Sequence, residues 1–326
     1  MNVTGGVRPT RDSFAKEGTM AISAATRRSR RVTAQGGIVA RAAFLTPATV
    51  FYSLFMIVPL LGTIFLSFTD WTGFSVENIH FIGTANYRAL FADPVFHQAL
   101  GNTVVFVVIA AVFKTLAALV MALLVHMRLP LSNVFRSVFV LPSVISVVVI
   151  GIVFSLILSP SLGPLNALLQ AVGLGQFQSA WLGDGHIALF ILIGLDVWLG
   201  FGVYMLLFLS RLVALPKDLS EAAVVDGATA FQELRYVTLP QLSSVIGIVT
   251  LLSIIDSLKV FATVYVMTNG GPNHATEVLS TWGYFQAFSQ SQVGYGSAVL
   301  VVLLFFTFLV TVAWMIFLRP RTERNS

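Results

Sequence analysis

Four charged side chains lie within long apolar runs of this sequence, and they are the first candidates for chemistry. They are Lys114, Asp196, Asp256 and Lys259. A charge inside a bilayer is costly, so such residues usually mark function. Asp256 and Lys259 are three residues apart, and a helix would place them on one face where they can pair. Two interpretations stay open, a structural ion pair or a polar lining for a solute path.

Other kinds of site have little support in the sequence. There is no cysteine, and the five histidines show no metal-ligand spacing. No Gly-x-x-x-x-Gly-Lys-Ser/Thr phosphate loop and no nucleophile elbow occurs. We therefore expect no catalytic residue, no metal and no cofactor bound by this chain.

The elements that position these charges are membrane helices. The composition is 56% hydrophobic and 10% charged, whereas a soluble domain has roughly 25% charged residues. A bilayer span needs about 20 apolar residues and must be helical, because lipid offers no partner to backbone groups. The qualifying runs are residues 44–68, 102–125, 138–158, 187–210, 242–266 and 298–318. The predicted fold class is an all-α membrane protein with six transmembrane helices.

Basic residues predict the orientation of these helices. With the N-terminus inside, 16 of the 19 Lys and Arg residues fall on the cytoplasmic side. Both termini are then cytoplasmic, and the net charge of +5 reflects topology rather than a nucleic-acid partner. We expect a disordered basic cytoplasmic tail over residues 1–40, the membrane domain over residues 41–319 and a cytoplasmic tail over residues 320–326.

Two predicted external loops, residues 69–101 and 267–297, are rich in aromatic side chains. These side chains fit either an aromatic belt at the membrane interface or short surface helices that meet a partner. Both interpretations stay open.

The predicted cytoplasmic loop between the fourth and fifth runs, residues 214–240, reads as two short helices. Asp218 and Glu221 have capping-box spacing, and Gly227 can supply the left-handed residue that ends the first helix. The other signals are Pro216 before the first helix, Thr229 and Gln232 as caps of the second, and Pro240 in the first turn of the fifth span. The pattern predicts a rigid helical hairpin joined to two membrane helices.

This loop resembles the E-A-A loop of ATP-binding-cassette (ABC) importer permeases of the maltose/glycerol-phosphate type. The matching residues are Glu221-Ala222-Ala223, Asp226-Gly227-Ala228 and Val237-Thr238-Leu239-Pro240. Flanking motifs extend the resemblance over about residues 44–318: Phe81-Ile82-Gly83, Asn86-Tyr87, Asp93-Pro94-Val95-Phe96, Asn102-Thr103, Asp256-Ser257, Lys259-Val260-Phe261 and Gly270-Gly271-Pro272.

The resemblance implies a type I ABC importer permease of the bacterial inner membrane, spanning it several times. Its loop would couple to a cytoplasmic ATPase through Glu221, Ala222, Ala223, Asp226, Gly227 and Pro240. It implies as partners a second homologous permease, two ATPase subunits that bind ATP and magnesium, an extracytoplasmic solute-binding protein, membrane lipid and a small sugar. An alternative for Glu221 is that it only closes the capping box of its own helix.

The resemblance also places a substrate path on the helices that flank the loop. The family's sugar-contact positions can be carried over without gaps by counting from Glu-Ala-Ala. They then fall at Leu199, Gly200, Val203, Ser253, Asp256 and Ser257, with Lys259 beside them. Leu199 and Val203 lack the polar or aromatic groups frequent at such places. Trp198 and Tyr204 suit stacking on a sugar ring, although packing between helices is the simpler alternative.

Two other function classes have weaker support in the sequence. A secondary transporter driven by an ion gradient would need broken helices or a proton relay in the membrane, and the Asp256–Lys259 pair alone is thin support. A membrane scaffold without transport would leave a rigid hairpin between polar spans without a purpose.

Overall fold

The computed structural model describes residues 44–75, 77, 79–127 and 132–318, and almost all regular structure there is helical. An isolated antiparallel bridge between Thr69 and Phe81 is the one extended pairing in that part of the chain. The predicted tails, residues 1–40 and 320–326, lie outside the described residues.

Twelve helices are numbered here within the described ranges. They are α1 (Phe44–Leu66), α2 (Ala85–Ala92), α3 (Pro94–His126), α4 (Ser132–Val144), α5 (Val147–Ile157), α6 (Pro164–Ala171), α7 (Ala188–Val213), α8 (Lys217–Val225), α9 (Ala230–Leu258), α10 (Ala262–Met267), α11 (Leu279–Tyr284) and α12 (Val293–Leu318). Five of them, α1, α3, α7, α9 and α12, are long and apolar enough to cross a membrane, and the pair α4 and α5 qualifies as a sixth span. The predicted fold class is therefore confirmed.

Residues up to Gly62 form a unit of their own. In its described part this unit is an apolar helix, the first part of α1, with a π-helical turn at Ser53–Ile57 and with most side chains exposed within the chain.

The third and fifth spans differ from the continuous helices expected over residues 138–158 and 242–266. The third is bent by 94° between α4 and α5, because Ser146 has an extended backbone (φ −57°, ψ 127°). The fifth ends at Leu258, since Lys259 and Phe261 leave helical geometry before α10 begins. The prediction that Lys259 lies within a membrane helix is therefore wrong.

The core of the described chain from Thr63 onward is built around α7, which packs along α3, α9 and α4. On α3, five alanines are completely or almost completely buried: Ala99, Ala110, Ala111, Ala118 and Ala122. Small side chains let membrane helices approach closely, where van der Waals packing stabilises them in the absence of a hydrophobic force. This close approach brings charges on α3, α7 and α9 within reach of one another.

The crossing of α4 and α7 depends on Gly202. A Cβ atom there would lie 2.1 Å from the carbonyl oxygen of Phe139, which is backbone and cannot rotate away. We expect Gly202→Ala to destabilise the protein by about 1–3 kcal/mol through overpacking, measured as a lower melting temperature in detergent. Gly194→Ala is the matched control, because it lies on α7 with no atom within 4 Å. Equal melting temperatures for the two variants would contradict the close contact.

The ends of the spans remote from α8 are joined by polar contacts. Asp93, the N-cap of α3, accepts hydrogen bonds from Trp282 Nε1 (3.2 Å) and the Tyr295 hydroxyl (2.7 Å). Asn102 donates to the carbonyl oxygen of Glu277 (2.9 Å). The two predicted external loops contain the short helices α2 and α11. Trp282 on α11 is buried in the core rather than exposed in an aromatic belt.

Candidate functional site

The first candidate site is the segment from α8 to the start of α9. Helix α8 begins at Lys217 with Pro216 as its N-cap, and no side chain caps it. Asp218 therefore lies within the first turn, where its charge complements the helix dipole. The predicted Asp218–Glu221 capping box is wrong, because the helix begins one residue before Asp218.

Helix α8 ends in a Schellman motif. Gly227 has φ +78°, the Ala228 amide donates to the carbonyl of Ala223 (3.0 Å) and the Gly227 amide donates to that of Val224 (3.1 Å). A capping box between Thr229 and Gln232 starts the next helix. The predicted helix-capping roles of Gly227, Thr229 and Gln232 are confirmed.

The second short helix is not separate from the fifth span. Helix α9 runs from Ala230 to Leu258, with a π-helical turn at Leu234–Thr238 directly before Pro240. The Ser220 hydroxyl donates to the Glu233 carboxylate, which links α8 to α9. A side-chain hydrogen bond thus connects α8 to the first turn of a membrane helix.

Most of the predicted coupling residues are accessible within the chain. Glu221, Ala222, Asp226, Gly227 and Pro240 are exposed, and Ala223 is partly buried. No side chain caps α8, so the Glu221 carboxylate closes no capping box. The alternative in which Glu221 only caps its own helix therefore does not occur here.

The second candidate site is a group of three charges, Lys114, Asp196 and Asp256, which we call the Lys114 triad. Lys114 on α3 is completely buried, and its Nζ lies 2.8 Å from Asp196 Oδ2 on α7 and 2.6 Å from Asp256 Oδ2 on α9. Ser257 Oγ lies 3.4 Å from the same Nζ. One ammonium thus bridges the two helices that flank α8.

The predicted Asp256–Lys259 pair is wrong. Asp256 pairs with Lys114 instead, and Lys259 is exposed beyond the end of α9. The interpretation that Lys114 bridges to a carboxylate is confirmed. The charge of Lys114 marks it as a candidate in the sequence. The spacing of residues within one apolar run cannot reveal that its partners lie on two other spans.

The polar and small residues around the triad show how the buried lysine fits. A Cβ atom at Gly200 would lie 3.0 Å from Lys114 Cε, so the absence of a side chain there accommodates the lysine stem. Ser253, on the same face of α9 as Asp256, is fully buried among neighbouring side chains. It is therefore closed to a solute in this conformation, whereas the Asp256 side chain reaches the surface.

The other predicted path residues divide into two groups. Trp198 and Val203 on α7 are exposed, whereas Leu199 and Tyr204 are buried. The Trp198 ring lies 5.6 Å from that of Phe154 on α5. Trp198, Val203 and Asp256 are therefore reachable from outside the chain, and Tyr204 contributes to packing.

Comparison with known proteins decides what kind of protein carries these two sites. Residues 114–324 match the family described as "Binding-protein-dependent transport system inner membrane component". The chain belongs to this family. It is a non-catalytic permease subunit of an ABC importer that works with a binding protein, and it spans the bacterial inner membrane several times. An ion-gradient-driven transporter is not favoured.

Relatives match this permease over most of their length. It is 39% identical to the probable ABC transporter permease protein YurN of Bacillus subtilis, covering 86% of this chain and 96% of the relative. It is 31% identical to the trehalose/maltose transport system permease protein MalF of Thermococcus litoralis, covering 81% and 86%. A crystal structure of a bacterial alginate ABC transporter contains a chain with the same fold, with a TM-score of 0.73, 21% identity and coverage of 88% and 94%.

Proposed function

We propose that this permease imports a carbohydrate and forms half of the translocation path with a second homologous permease. Relatives named for sugars support the substrate class, among them the trehalose/maltose permease and the lactose permease LacF of Rhizobium radiobacter, which is 34% identical. The observation that carries the proposal is the exposed carboxylate of Asp256 on α9, which lies inside an apolar span. Sugar hydroxyls are suitable donors to a carboxylate.

The segment around α8 is the proposed contact with the ATPase. Glu221 is exposed, and the neighbouring Val224 and Val225 are exposed apolar side chains. A charged group beside apolar surface is typical of a protein interface rather than of a surface that faces only water. The positive-inside pattern supports a cytoplasmic position for α8 and both termini. ATP and magnesium then bind to two partner ATPase subunits, whose closure moves α8.

The substrate class is tested with the whole importer, co-purified and reconstituted in lipid vesicles together with its binding protein. We expect one sugar of a panel to stimulate ATP hydrolysis several-fold. The panel contains maltose, lactose, trehalose, glucose 6-phosphate and an alginate oligosaccharide. If no member of the panel stimulates hydrolysis, a carbohydrate substrate is contradicted.

Glu221→Ala is expected to reduce ATP-driven uptake of the stimulating sugar at least about tenfold, because the loss of a charged hydrogen-bond partner at an interface costs roughly 1.5–3 kcal/mol. Asp218→Ala is the matched control, since Asp218 is an exposed carboxylate on the same helix outside the matching motif. Membrane levels of both variants are measured by immunoblot. Equal uptake by the two variants at equal levels would show that Glu221 has no special role in coupling.

A further inference from the structure

The Lys114 triad carries an unbalanced charge. One ammonium faces two carboxylates at 2.8 Å and 2.6 Å, and with all three groups ionised the triad has a formal charge of −1. Asn and Gln side chains would satisfy a lysine without this excess. The described part of the chain places no second cation against either carboxylate, and Lys259, just beyond the end of α9, pairs with none of the described carboxylates.

The excess negative charge is presented by Asp256 rather than by Asp196. The Asp196 side chain is 15% exposed, whereas that of Asp256 is 54% exposed. Only Oδ2 of Asp256 meets Lys114, and within the described residues no hydrogen bond reaches Oδ1. Asp256 therefore offers an open carboxylate oxygen on the exposed side of α9.

We propose that the Lys114 triad makes this permease selective for uncharged carbohydrates and against carbohydrates that carry a carboxylate or phosphate group. This inference rests on the proposed function, in which α7 and α9 line the sugar path. The open oxygen of Asp256 accepts hydrogen bonds from sugar hydroxyls, and charge-assisted bonds of this kind are the stronger ones. An anionic substituent is repelled by the same oxygen, and the repulsion is strong where water is scarce.

The charge at Asp256 can be measured without knowledge of the substrate, because the chain contains no cysteine. Two single cysteines are introduced separately in the assembled importer, Leu252→Cys and Val203→Cys. Leu252 is 41% exposed and lies one turn before Asp256 on α9, and Val203 is 47% exposed on α7. Their reaction rates are compared for a cationic and an anionic methanethiosulfonate reagent, and the labelling of this chain is followed by mass.

We expect the cationic reagent to react faster at both positions. Asp256→Asn should lower the ratio of cationic to anionic rates by roughly tenfold, as expected for removal of one nearby charge. Asp70→Asn is the matched control, because it removes one carboxylate on the loop after α1 and should leave the ratio unchanged. Asp256→Glu should also leave the ratio close to that of the cysteine parent.

Two results would overturn the inference in different ways. A ratio that is insensitive to Asp256→Asn shows that the triad creates no selective field, although the sugar path could still exist. No reaction with either reagent at either cysteine shows that these faces of α7 and α9 meet no aqueous path, which removes the basis of the inference.

The sugar panel separates failure of the inference from failure of the proposed function. Stimulation of ATP hydrolysis by maltose, lactose or trehalose supports both. Stimulation by glucose 6-phosphate or the alginate oligosaccharide, without a neutral sugar, supports carbohydrate import and overturns the selectivity. Stimulation by none of them contradicts the proposed function itself.

Discussion

Gly227→Val is expected to abolish ATP-driven uptake, to less than about a twentieth of the parental rate, while the permease reaches the membrane in normal amounts. Gly227 has φ +78° at the end of α8. A residue other than glycine in this region costs about 1–3 kcal/mol, and a β-branched side chain is the least suited to it. Valine would therefore break the Schellman motif and change the angle between α8 and α9. Uptake of labelled sugar into vesicles, normalised to permease content, measures the effect.

Gly227→Asn is the control that identifies the cause. Asparagine tolerates the left-handed region much better than valine, and a Cβ atom at Gly227 would meet nothing within 4 Å in this chain. If backbone conformation is what matters, the asparagine variant should keep a substantial part of the uptake. If close approach of the ATPase requires glycine, both variants should fail. Normal uptake by the valine variant would contradict any coupling role for this turn.

The α8 segment shows how far local sequence reasoning reaches. The glycine turn and the Thr229–Gln232 capping box are set by contacts between residues one to five positions apart, so their residue types suffice to predict them. The predicted capping box at Asp218 is wrong by a small margin, because Pro216 is the N-cap of α8 although it has no side-chain acceptor. The π-helical turn that joins the hairpin to the fifth span has no signal in the residue types around Pro240, because Leu234–Thr238 has ordinary helix-compatible side chains.

The Lys114 triad shows where such reasoning stops. The sequence placed Asp256 beside Lys259 by helical spacing, but its partner Lys114 is 142 residues away. Which lysine pairs with Asp256 depends on where α9 ends. Leu258 is the last residue of α9, and the exposed Lys259 leaves helical geometry. It also depends on the close packing of α3 against α7, for which the buried alanines and Gly200 are required. Such three-helix geometry cannot be derived from the spacing of residues within one run.

Because Lys114 joins α3 to both α7 and α9, we expect Lys114→Met to be the most damaging single substitution in the membrane domain. Methionine fills a similar volume but leaves Asp196 and Asp256 without their cation inside the protein. Removal of one partner from a buried ion pair costs about 3–5 kcal/mol, because the remaining charge is left uncompensated. We expect a large loss of folded permease, measured as the monodisperse fraction in detergent and as the melting temperature. Lys259→Met is the matched control and should behave like the parent, since Lys259 is exposed beyond α9.

A triple variant, Lys114→Met with Asp196→Asn and Asp256→Asn, separates folding from transport. Neutral side chains remove the uncompensated charges, so we expect the melting temperature to recover most of what Lys114→Met alone loses. If uptake recovers together with the fold, the triad only holds α3, α7 and α9 together. If the fold recovers and uptake does not, the charges themselves act on the solute, which agrees with the selectivity assigned to Asp256. Equal stability of Lys114→Met and Lys259→Met would instead show that the buried bridge between the three helices contributes nothing.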